Sequence, residues 1–385
     1  MSRRSVPWWA AAVVAAAVVV LTGALPGADA VALAARVGPV LVLVAALTVV
    51  AELCGAAGLF DVATDVAARS AGGRRWVLWL LLVAIAVVST VLLSLDTTAV
   101  LLTPLAITLA RRTGTSPLLL ALTVVALANT ASLLLPVSNL TNLLADRRFA
   151  EQDAGYVGVM WAPALAAVLV TVVVLAVRGR RELRGRFRPG ERYVPPDRPL
   201  LLVTAAAVAV MAAGFVAGLP VWAVASGAAV VLLVATGVRR RALPGRARDL
   251  VPWRMLLVVG ALFVLVETLH VRGLGDALVA LAPGGSGTGA LLGVAGLSAG
   301  AANLVNNLPA YLVLEPVAGD DTRRLAAVLI GTGVGPLLTP WASLATVLWW
   351  QRCRQALLHV PARAFLVQGL WLAPLCVVAA VLALG

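Results

Sequence analysis

Lysine is absent from this chain of 385 residues, and charge of any kind is scarce. Only 12% of the residues are charged and 62% are hydrophobic, whereas an ordinary soluble domain carries about 25% charged residues. This composition excludes a soluble domain. Apolar runs of about 20 residues, the length that crosses a bilayer core, recur along the chain, and the short alternating strands of a membrane barrel do not appear. The sequence therefore predicts an all-α polytopic membrane protein.

Histidine and cysteine are also rare. The chain has two histidines, His270 and His359, and three widely spaced cysteines, Cys54, Cys353 and Cys376. The spacing matches no metal-ligand pattern, so free thiols are favoured over the alternative of a three-thiolate site for a soft metal. No nucleophile stands near a candidate base. We therefore expect a protein that is not an enzyme and that carries no metal and no cofactor.

All 30 basic residues are arginine, and the net charge is +13. They cluster in short loops between apolar runs, which is typical of topology determinants rather than of a nucleic-acid surface. Arg3 and Arg4 place the N-terminus in the cytoplasm, and the arginines of residues 178–198 and 239–248 place those loops there too. The spans counted from these loops leave the C-terminus outside the cell membrane.

Two polar stretches inside apolar runs predict re-entrant hairpins. Residues 303–309 contain three asparagines and a proline, and such a stretch survives at membrane depth only when it is buried in protein or lines a watery cavity. The other stretch surrounds Asp96 in residues 76–112, and arginines flank both of its ends. The alternative is two full spans with Asp96 in an outside loop. The hairpin is favoured because residues 99–109 are short for a span and contain Pro104.

Two further helices contain polar breaks with proline, near residues 129–139 and 331–340, which is typical of the discontinuous helices of transporters. The predicted organisation starts with N-terminal spans in residues 1–50. A first repeat, residues 51–177, contains the hairpin 76–112 and the broken helix 117–145. A cytoplasmic linker (178–198) and scaffold spans with a basic loop (199–253) follow. The second repeat, residues 254–385, contains the hairpin 287–318 and the broken helix 323–350.

Three landmarks recur in the same order in the two halves. Residues 52–61 match residues 267–276 in the spacing of a glutamate, a glycine, a leucine and an aspartate. Asp96 then aligns with Asn307, and residues 136–140 align with residues 340–344. The arginine distribution gives the two copies opposite orientations. Inverted-topology repeats with broken helices predict a secondary transporter.

The polar side chains at the hairpin tips and helix breaks form the predicted site. Asp96 is the only carboxylate at a break, so we expect it to bind a coupling proton or a sodium ion. Glu52 and Glu267 are second choices for that role. A lone serine or threonine in a membrane helix commonly bonds its own backbone instead. The predicted substrate-binding residues are Thr97, Thr98, Asn129, Thr130, Ser132, Ser138, Asn139, Asn142, Asn303, Asn306, Asn307, Thr339, Ser343 and Thr346.

This set is rich in amides and hydroxyls and poor in charge. It suits a small neutral or weakly charged polyhydroxy solute, or an anion held by the positive ends of half-helices. A large di- or tricarboxylate fits less well, because no arginine falls among the breaks.

Several motifs at the tips and breaks occur together. They are Ala-Ser-Leu at 131–133, Val-Ser-Asn-Leu at 137–140, Asn-Asn-Leu-Pro at 306–309, Gly-Pro at 335–336, Thr-Pro at 339–340 and Ser-Leu-Ala-Thr at 343–346. In this combination the chain resembles the arsenical pump membrane proteins, arsenite efflux permeases of the ion transporter superfamily. The resemblance implies export of arsenite or antimonite, driven by the proton gradient or by a partner ATPase. It also implies a homodimer with an elevator-like movement.

The chain departs from this family pattern at charged positions. The family has an asparagine where Leu95 stands, an acid in place of Asn129, an acid near Gly333 and a lysine near Leu337. The fold therefore carries over better than the substrate. The alternatives are a sodium- or proton-coupled carrier of carboxylate-type anions and the membrane subunit of an ATPase-driven pump.

Overall fold

The computed structural model describes residues 8–241, 243 and 250–385. Arg3 and Arg4, which set the predicted side of the N-terminus, lie outside the described residues, as do the arginines of the basic loop beyond residue 241. The described residues form eighteen α-helices, and eight of these helical segments are long and apolar enough to cross a membrane. The predicted all-α polytopic fold is confirmed.

The helices follow one another through short connections. They are α1 (Trp8–Leu21), α2 (Gly27–Ala56), α3 (Leu59–Ser70), α4 (Arg75–Leu93), α5 (Leu95–Thr97), α6 (Thr103–Thr113), α7 (Pro117–Thr130), α8 (Leu140–Glu151), α9 (Tyr156–Arg178), α10 (Arg198–Val216), α11 (Val221–Val238), α12 (Trp253–Val271), α13 (Leu274–Leu281), α14 (Thr288–Val305), α15 (Asn307–Leu314), α16 (Thr322–Val334), α17 (Leu344–Gln355) and α18 (Ala362–Leu382). A π-helical segment, Thr98–Leu102, joins α5 to α6. Short 3-10 turns occupy the breaks between α7 and α8 and between α16 and α17.

The helices form two groups. Helices α1, α2, α10, α11 and α12 pack mainly against one another, and we call them the first group. Helices α4 to α9 and α14 to α18 make up the second group. Among the candidate spans of the described residues, the buried share is highest, 78%, at Pro117–Leu134 of the second group and lowest, 22%, at α10 of the first group. The broken helices therefore lie at the centre of the second group, while much of the first group presents apolar side chains to its surroundings.

Two hairpins lie in the second group. Hairpin 1 runs from α4 to α6, and its two ends meet where Gly114 lies against the guanidinium of Arg75. Hairpin 2 consists of α14 and α15, and Arg324 ties its ends together by donating to the carbonyl oxygens of Gly285 and Val317. Each hairpin thus enters and leaves at the same end of the protein. The alternative of two full spans with Asp96 in an outside loop is excluded, since the Asp96 tip lies beside a mid-helix break.

The two repeats have opposite orientations. Broken helix 1 (α7 and α8) starts beside the base of hairpin 1, and its far end reaches the base of hairpin 2, where Arg148 Nη2 donates to the Gly319 oxygen over 3.3 Å. Broken helix 2 (α16 and α17) starts at the base of hairpin 2 and ends at the base of hairpin 1, where Arg111 Nη2 donates to the Ala356 oxygen over 2.7 Å. The hairpin bases therefore lie at opposite ends of the protein, the arrangement expected of an inverted repeat.

Residues 178–198 pack along the base of hairpin 1. The amide of Phe187 donates to the Gly73 oxygen over 2.8 Å, which binds this linker to the start of α4. Asp197 caps α10 by accepting from the Leu200 amide, and it also accepts from Arg239 and Arg241. The Leu200 amide and the Arg239 guanidinium lower the pKa of Asp197 to about 2. We call this end of the protein, with the linker and the base of hairpin 1, the arginine-rich end.

Gly331 provides a test of the packing between the hairpins and the broken helices. It lies in α16 against α14, and a Cβ atom there would stand 2.6 Å from Ser298 Cβ and would overlap the Ala295 oxygen. We expect Gly331→Ala to lower the free energy of unfolding by about 1–3 kcal/mol, because extra volume in a packed core forces the helices apart. Thermal unfolding of the purified protein in detergent measures this change.

Gly296→Ala on α14 is the matched control. A Cβ atom at this position would have no atom within 4 Å, so alanine there should stabilise the helix by about 0.5–1 kcal/mol. Equal melting temperatures for the two variants would show that α14 and α16 do not pack as described.

Candidate functional site

The tip of hairpin 1 is closed by serine and threonine hydroxyls. Ser94 separates α4 from α5, and its hydroxyl caps the following turn by accepting from the Thr97 amide over 3.3 Å. Thr98 Oγ1 donates to Ser89 Oγ over 2.8 Å and accepts from Thr90 Oγ1 over 3.1 Å. The hydroxyls of Thr98 and Thr97 are therefore both engaged within the hairpin, since Thr97 Oγ1 accepts from Ser94 Oγ over 3.1 Å.

The tip of hairpin 2 is closed by amides that hold it to the break of helix 2. Asn306 Nδ2 donates to the Trp341 oxygen over 2.9 Å, and the Asn307 amide donates to the Ala342 oxygen over 2.8 Å. Asn303 Nδ2 donates to the Gly335 oxygen over 2.8 Å, and its Oδ1 accepts from Thr339 over 2.8 Å. Three of the asparagines predicted to bind substrate thus join tip to break.

The two tips have the same backbone conformation. Ser94 has φ 117° and ψ 162°, and Asn306 has φ 89° and ψ 155°, a region that residues other than glycine rarely adopt. These residues are therefore equivalent, and Asp96 corresponds to Leu308. The predicted alignment of Asp96 with Asn307 is wrong by one residue. That alignment matched two similar side chains, aspartate and asparagine, whereas the backbone bend matches Ser94 with Asn306 and so sets the register. The carboxylate of the first tip thus has an apolar residue as its equivalent in the second tip.

The two breaks correspond as predicted. Asn139 has extended backbone and caps α8 by accepting from the Thr141 amide, and Ser343 has extended backbone and caps α17 by accepting from the Thr346 amide. Both half-helices contain 12 residues. Each break thus ends at a capped half-helix N-terminus, the positive end of the helix dipole.

Contacts join tips, breaks and halves. Ser138 Oγ donates to the Val91 oxygen of hairpin 1 over 3.0 Å, which places break 1 against tip 1. Asn129 Nδ2 donates to the Val125 oxygen over 2.8 Å and approaches Thr346 Oγ1 of the other half at 3.5 Å. The predicted residues of the two repeats therefore meet where α7 contacts α17.

A cavity of about 270 Å³ lies between the two helix groups at tip 1. Its walls are α2 and the start of α12 from the first group, and tip 1, break 1 and the end of α17 from the second. The polar side chains that line it are those of Thr48, Glu52, Ser94, Asp96, Thr97, Asn139 and Arg352. Within the described part of the chain, the buried Oδ1 of Asp96 and the buried Nδ2 of Asn139 have no hydrogen-bond partner.

Of the predicted substrate residues, this cavity gathers Thr97 and Asn139 together with the coupling candidates Asp96 and Glu52. Other predicted residues bond nearby backbone: Thr130 donates to Ala126, Ser132 to Asn129, and Asn142 to Ser132. The predicted residues of the second half do not line it.

Sequence reasoning missed Ser94, Thr48 and Arg352. The signal for Arg352 was its place in the last turn of α17, which matches the place of Arg148 in the last turn of α8.

A second cavity, of about 220 Å³, lies near the base of hairpin 2 and is lined by Arg148, Glu267 and Glu315. Arg148 Nε lies 3.7 Å from Glu315 Oε1, and its Nη1 lies 2.9 Å from Glu151 Oε2. Glu267 is the repeat counterpart of Glu52. Each cavity thus combines a glutamate of one repeat with an arginine from the half-helix of the other repeat.

Comparison with known proteins agrees with this architecture. The sequence model of the citrate transporter family matches residues 1–348. The arsenical pump membrane protein of Escherichia coli is 28% identical over 337 residues, which cover 79% of this chain and 76% of the relative. That of Yersinia enterocolitica is 28% identical over 336 residues, with the same coverage of both chains. The resemblance to arsenical pump membrane proteins is confirmed.

A solved structure shows the same fold. The crystal structure of the Alcanivorax borkumensis YdaH transporter, reported to have an unusual topology, superposes with a TM-score of 0.60 and covers 94% of this chain and 89% of its own. The two sequences are 17% identical, so the likeness is one of fold.

The strained tip residue Asn306 yields a prediction. Asn306→Ala and Asn306→Gly both remove the bond to the Trp341 oxygen, but only alanine keeps a side chain at φ 89°. We therefore expect the glycine variant to be more stable than the alanine variant by about 1–2 kcal/mol, since glycine adopts this region without strain. Thermal unfolding with amide hydrogen exchange at residues 303–309 measures the difference. An alanine variant as stable as the glycine variant would contradict the backbone described for tip 2.

Proposed function

This chain belongs to the citrate transporter family, and from that membership we propose that it is a secondary active transporter that exports arsenite, antimonite or a similar small solute in exchange for protons. The chain is a multi-pass membrane transporter. Relatives named arsenical pump membrane proteins support the choice of solute. The observation that carries it is the cavity at tip 1.

The chemistry of this cavity suits a small trihydroxide. Arsenite in neutral water is undissociated, so it offers three hydroxyl donors and three oxygen acceptors. Asp96 Oδ1 is a buried acceptor without a partner among the described residues, and Asn139 Nδ2 is a buried donor that also lacks a partner among them. Buried polar groups normally find partners, so these two atoms support the proposal that a polar solute binds here. A volume of about 270 Å³ admits a solute of this size.

Asp96 couples the solute to protons in this proposal. Its carboxylate accepts hydrogen bonds from the solute when it is ionised, and it loses an acceptor when it is protonated. A proton that arrives from outside thus displaces the solute, and release of the proton in the cytoplasm restores the site. Glu52 lines the same cavity and provides a path for that proton.

Both cavities lie between the two helix groups, which supports an elevator-like movement of one group against the other. In this structure the cavity at tip 1 borders Arg352 and the start of α12, and we place this arginine-rich end in the cytoplasm. The cavity at the other end is lined by Arg148 and Glu315, which lie 3.7 Å apart. In this proposal the solute enters the cavity at tip 1 from the cytoplasm.

A carboxylate anion is the second candidate, and Arg352 favours it. No arginine falls among the breaks, which argued against this substrate, yet Arg352 reaches the cavity from the last turn of α17. A guanidinium beside the capped end of α8 suits a carboxylate.

Exchange measured in everted vesicles tests Asp96. With an imposed pH gradient and no ATP, we expect wild-type protein to take up arsenite, and Asp96→Asn to lower the rate about tenfold or more, the equivalent of about 1.4 kcal/mol of lost interaction. Asp61→Asn is the control because Asp61 lies on α3, outside the cavity. Asp96→Asn that transports as well as wild type at every pH would disprove the coupling role.

The same vesicles separate the alternatives. Uptake of citrate but not arsenite, lost in Arg352→Gln, would assign the carrier to carboxylates. Uptake that requires ATP and a partner ATPase would assign it to a pump subunit.

The contact between Arg148 and Glu315 yields a further prediction. Arg148→Gln removes the contact with Glu315, so a cysteine introduced at Leu312, which lines the outer cavity, should react faster with an impermeant maleimide. We expect a rise of about fivefold, equivalent to about 1 kcal/mol for a partly exposed ion pair. Arg147→Gln is the control, since Arg147 does not line this cavity. Equal labelling of both variants would show that the pair does not limit access to this cavity.

A further inference from the structure

A groove of about 580 Å³ at the arginine-rich end has no part in the proposed transport. It lies on the second helix group between the start of α7, the end of α9 and the start of α18. Gly179 allows the approach of α7 and α9, because a Cβ atom there would stand 2.7 Å from Leu119 Cδ2. The packing of three helices thus forms the groove.

The lining of the groove changes from charged to apolar with depth. Arg178 and Arg363 lie at its mouth, at the end of α9 and in the first turn of α18. Leu122, Leu175 and Val367 line it farther along the same helices. Since α-helices rise about 1.5 Å per residue, Val367 lies about 6 Å deeper than Arg363. This order, cations at the surface and hydrocarbon below, matches a lipid headgroup above its acyl chains.

The mouth attracts an anion. Neither Arg178 nor Arg363 forms an ion pair or a side-chain hydrogen bond within the described part of the chain, and both are exposed. The N-termini of α7 and α18, helices of 14 and 21 residues, open at the same place and add positive dipole ends. Glu182 also lines the mouth, which leaves the side chains there with a net positive charge.

Gln368 gives the groove a polar group at an intermediate depth. Its side chain is only 7% exposed, lines the groove and makes no hydrogen bond among the described residues. It lies about 7.5 Å along α18 from Arg363, the depth at which a phospholipid carries its ester carbonyls when its phosphate is at the arginines. Its amide atoms are absent from the fully buried polar atoms without a partner, so the amide is open to the groove and can donate to an ester carbonyl there.

We propose that this groove binds one anionic glycerophospholipid. The phosphate lies between Arg178 and Arg363, an ester carbonyl accepts from Gln368, and an acyl chain covers Leu122, Leu175 and Val367. Free phosphate would leave the apolar wall and the amide uncovered, so the lipid is the better occupant.

Native mass spectrometry of the whole protein in detergent tests the proposal with phosphatidylglycerol and phosphatidylcholine of equal chain length. We expect one retained phosphatidylglycerol, bound about tenfold more tightly than phosphatidylcholine, as two charge-assisted contacts allow. Arg178→Gln with Arg363→Gln should abolish this preference. Arg181→Gln with Arg184→Gln is the matched control, because it removes the same charge from exposed linker positions outside the groove.

Further arms exclude other occupants. Ala364→Trp fills the groove without changing charge and should also abolish binding. Equal loss in the control pair would mean non-specific surface attraction and would overturn the proposal. Displacement of the lipid by millimolar inorganic phosphate would also overturn the proposal. Phosphatidylethanolamine that binds as tightly as phosphatidylglycerol, and whose binding is lost in Glu182→Gln, would overturn it too by assigning the groove to a zwitterionic lipid.

Discussion

The structure depends on one requirement: the backbone groups freed at two helix breaks must find partners where lipid supplies none. In break 2 the partners come from the tip of its own hairpin, because the oxygens of Trp341 and Ala342 accept from the Asn306 side chain and the Asn307 backbone amide. In break 1 the oxygens of Ser132 and Leu133 accept from Asn142 and Tyr156, and Ser138 Oγ in turn donates to the Val91 oxygen of hairpin 1. A break that loses its tip exposes unsatisfied polar groups, so hairpin and broken helix behave as one unit.

The two repeats also exchange parts. The half-helix after each break leaves its own hairpin and packs on the other repeat, so that α17 lies against hairpin 1 and α8 against hairpin 2. Arg352 therefore reaches a cavity with Glu52, and Arg148 reaches one with Glu267. The pseudo-symmetry provides two equivalent entrances, one at each end. Among the described residues the two arginines differ in their partners, because Arg148 pairs with Glu315 and Glu151 whereas Arg352 donates to Gln355.

The functional asymmetry arises at a single position of each tip. Asp96 places a carboxylate in the cavity at tip 1, while the equivalent residue in tip 2 is Leu308. Symmetric scaffolds permit alternating access, but a titratable group in only one tip confines the proposed proton coupling to that tip. The side-chain amides of Asn303 and Asn306, predicted to bind solute, hold hairpin 2 to its break in this structure, and their role in solute binding stays a prediction.

Sequence by itself determined the class, the duplication and the positions of the breaks. Scarce charge, and prolines and asparagines within apolar runs, are local signals. Asn139 and Ser343 could be matched from such signals because a helix-capping side chain bonds backbone only a few residues away. Tertiary structure alone decided which polar groups stay free. Ser94 has a bent backbone that could not be predicted from its residue type. Arg352 reaches the cavity because the two repeats pack against each other. Whether an amide binds solute or a neighbouring carbonyl depends on distances between segments far apart in the chain, and no local pattern encodes those distances.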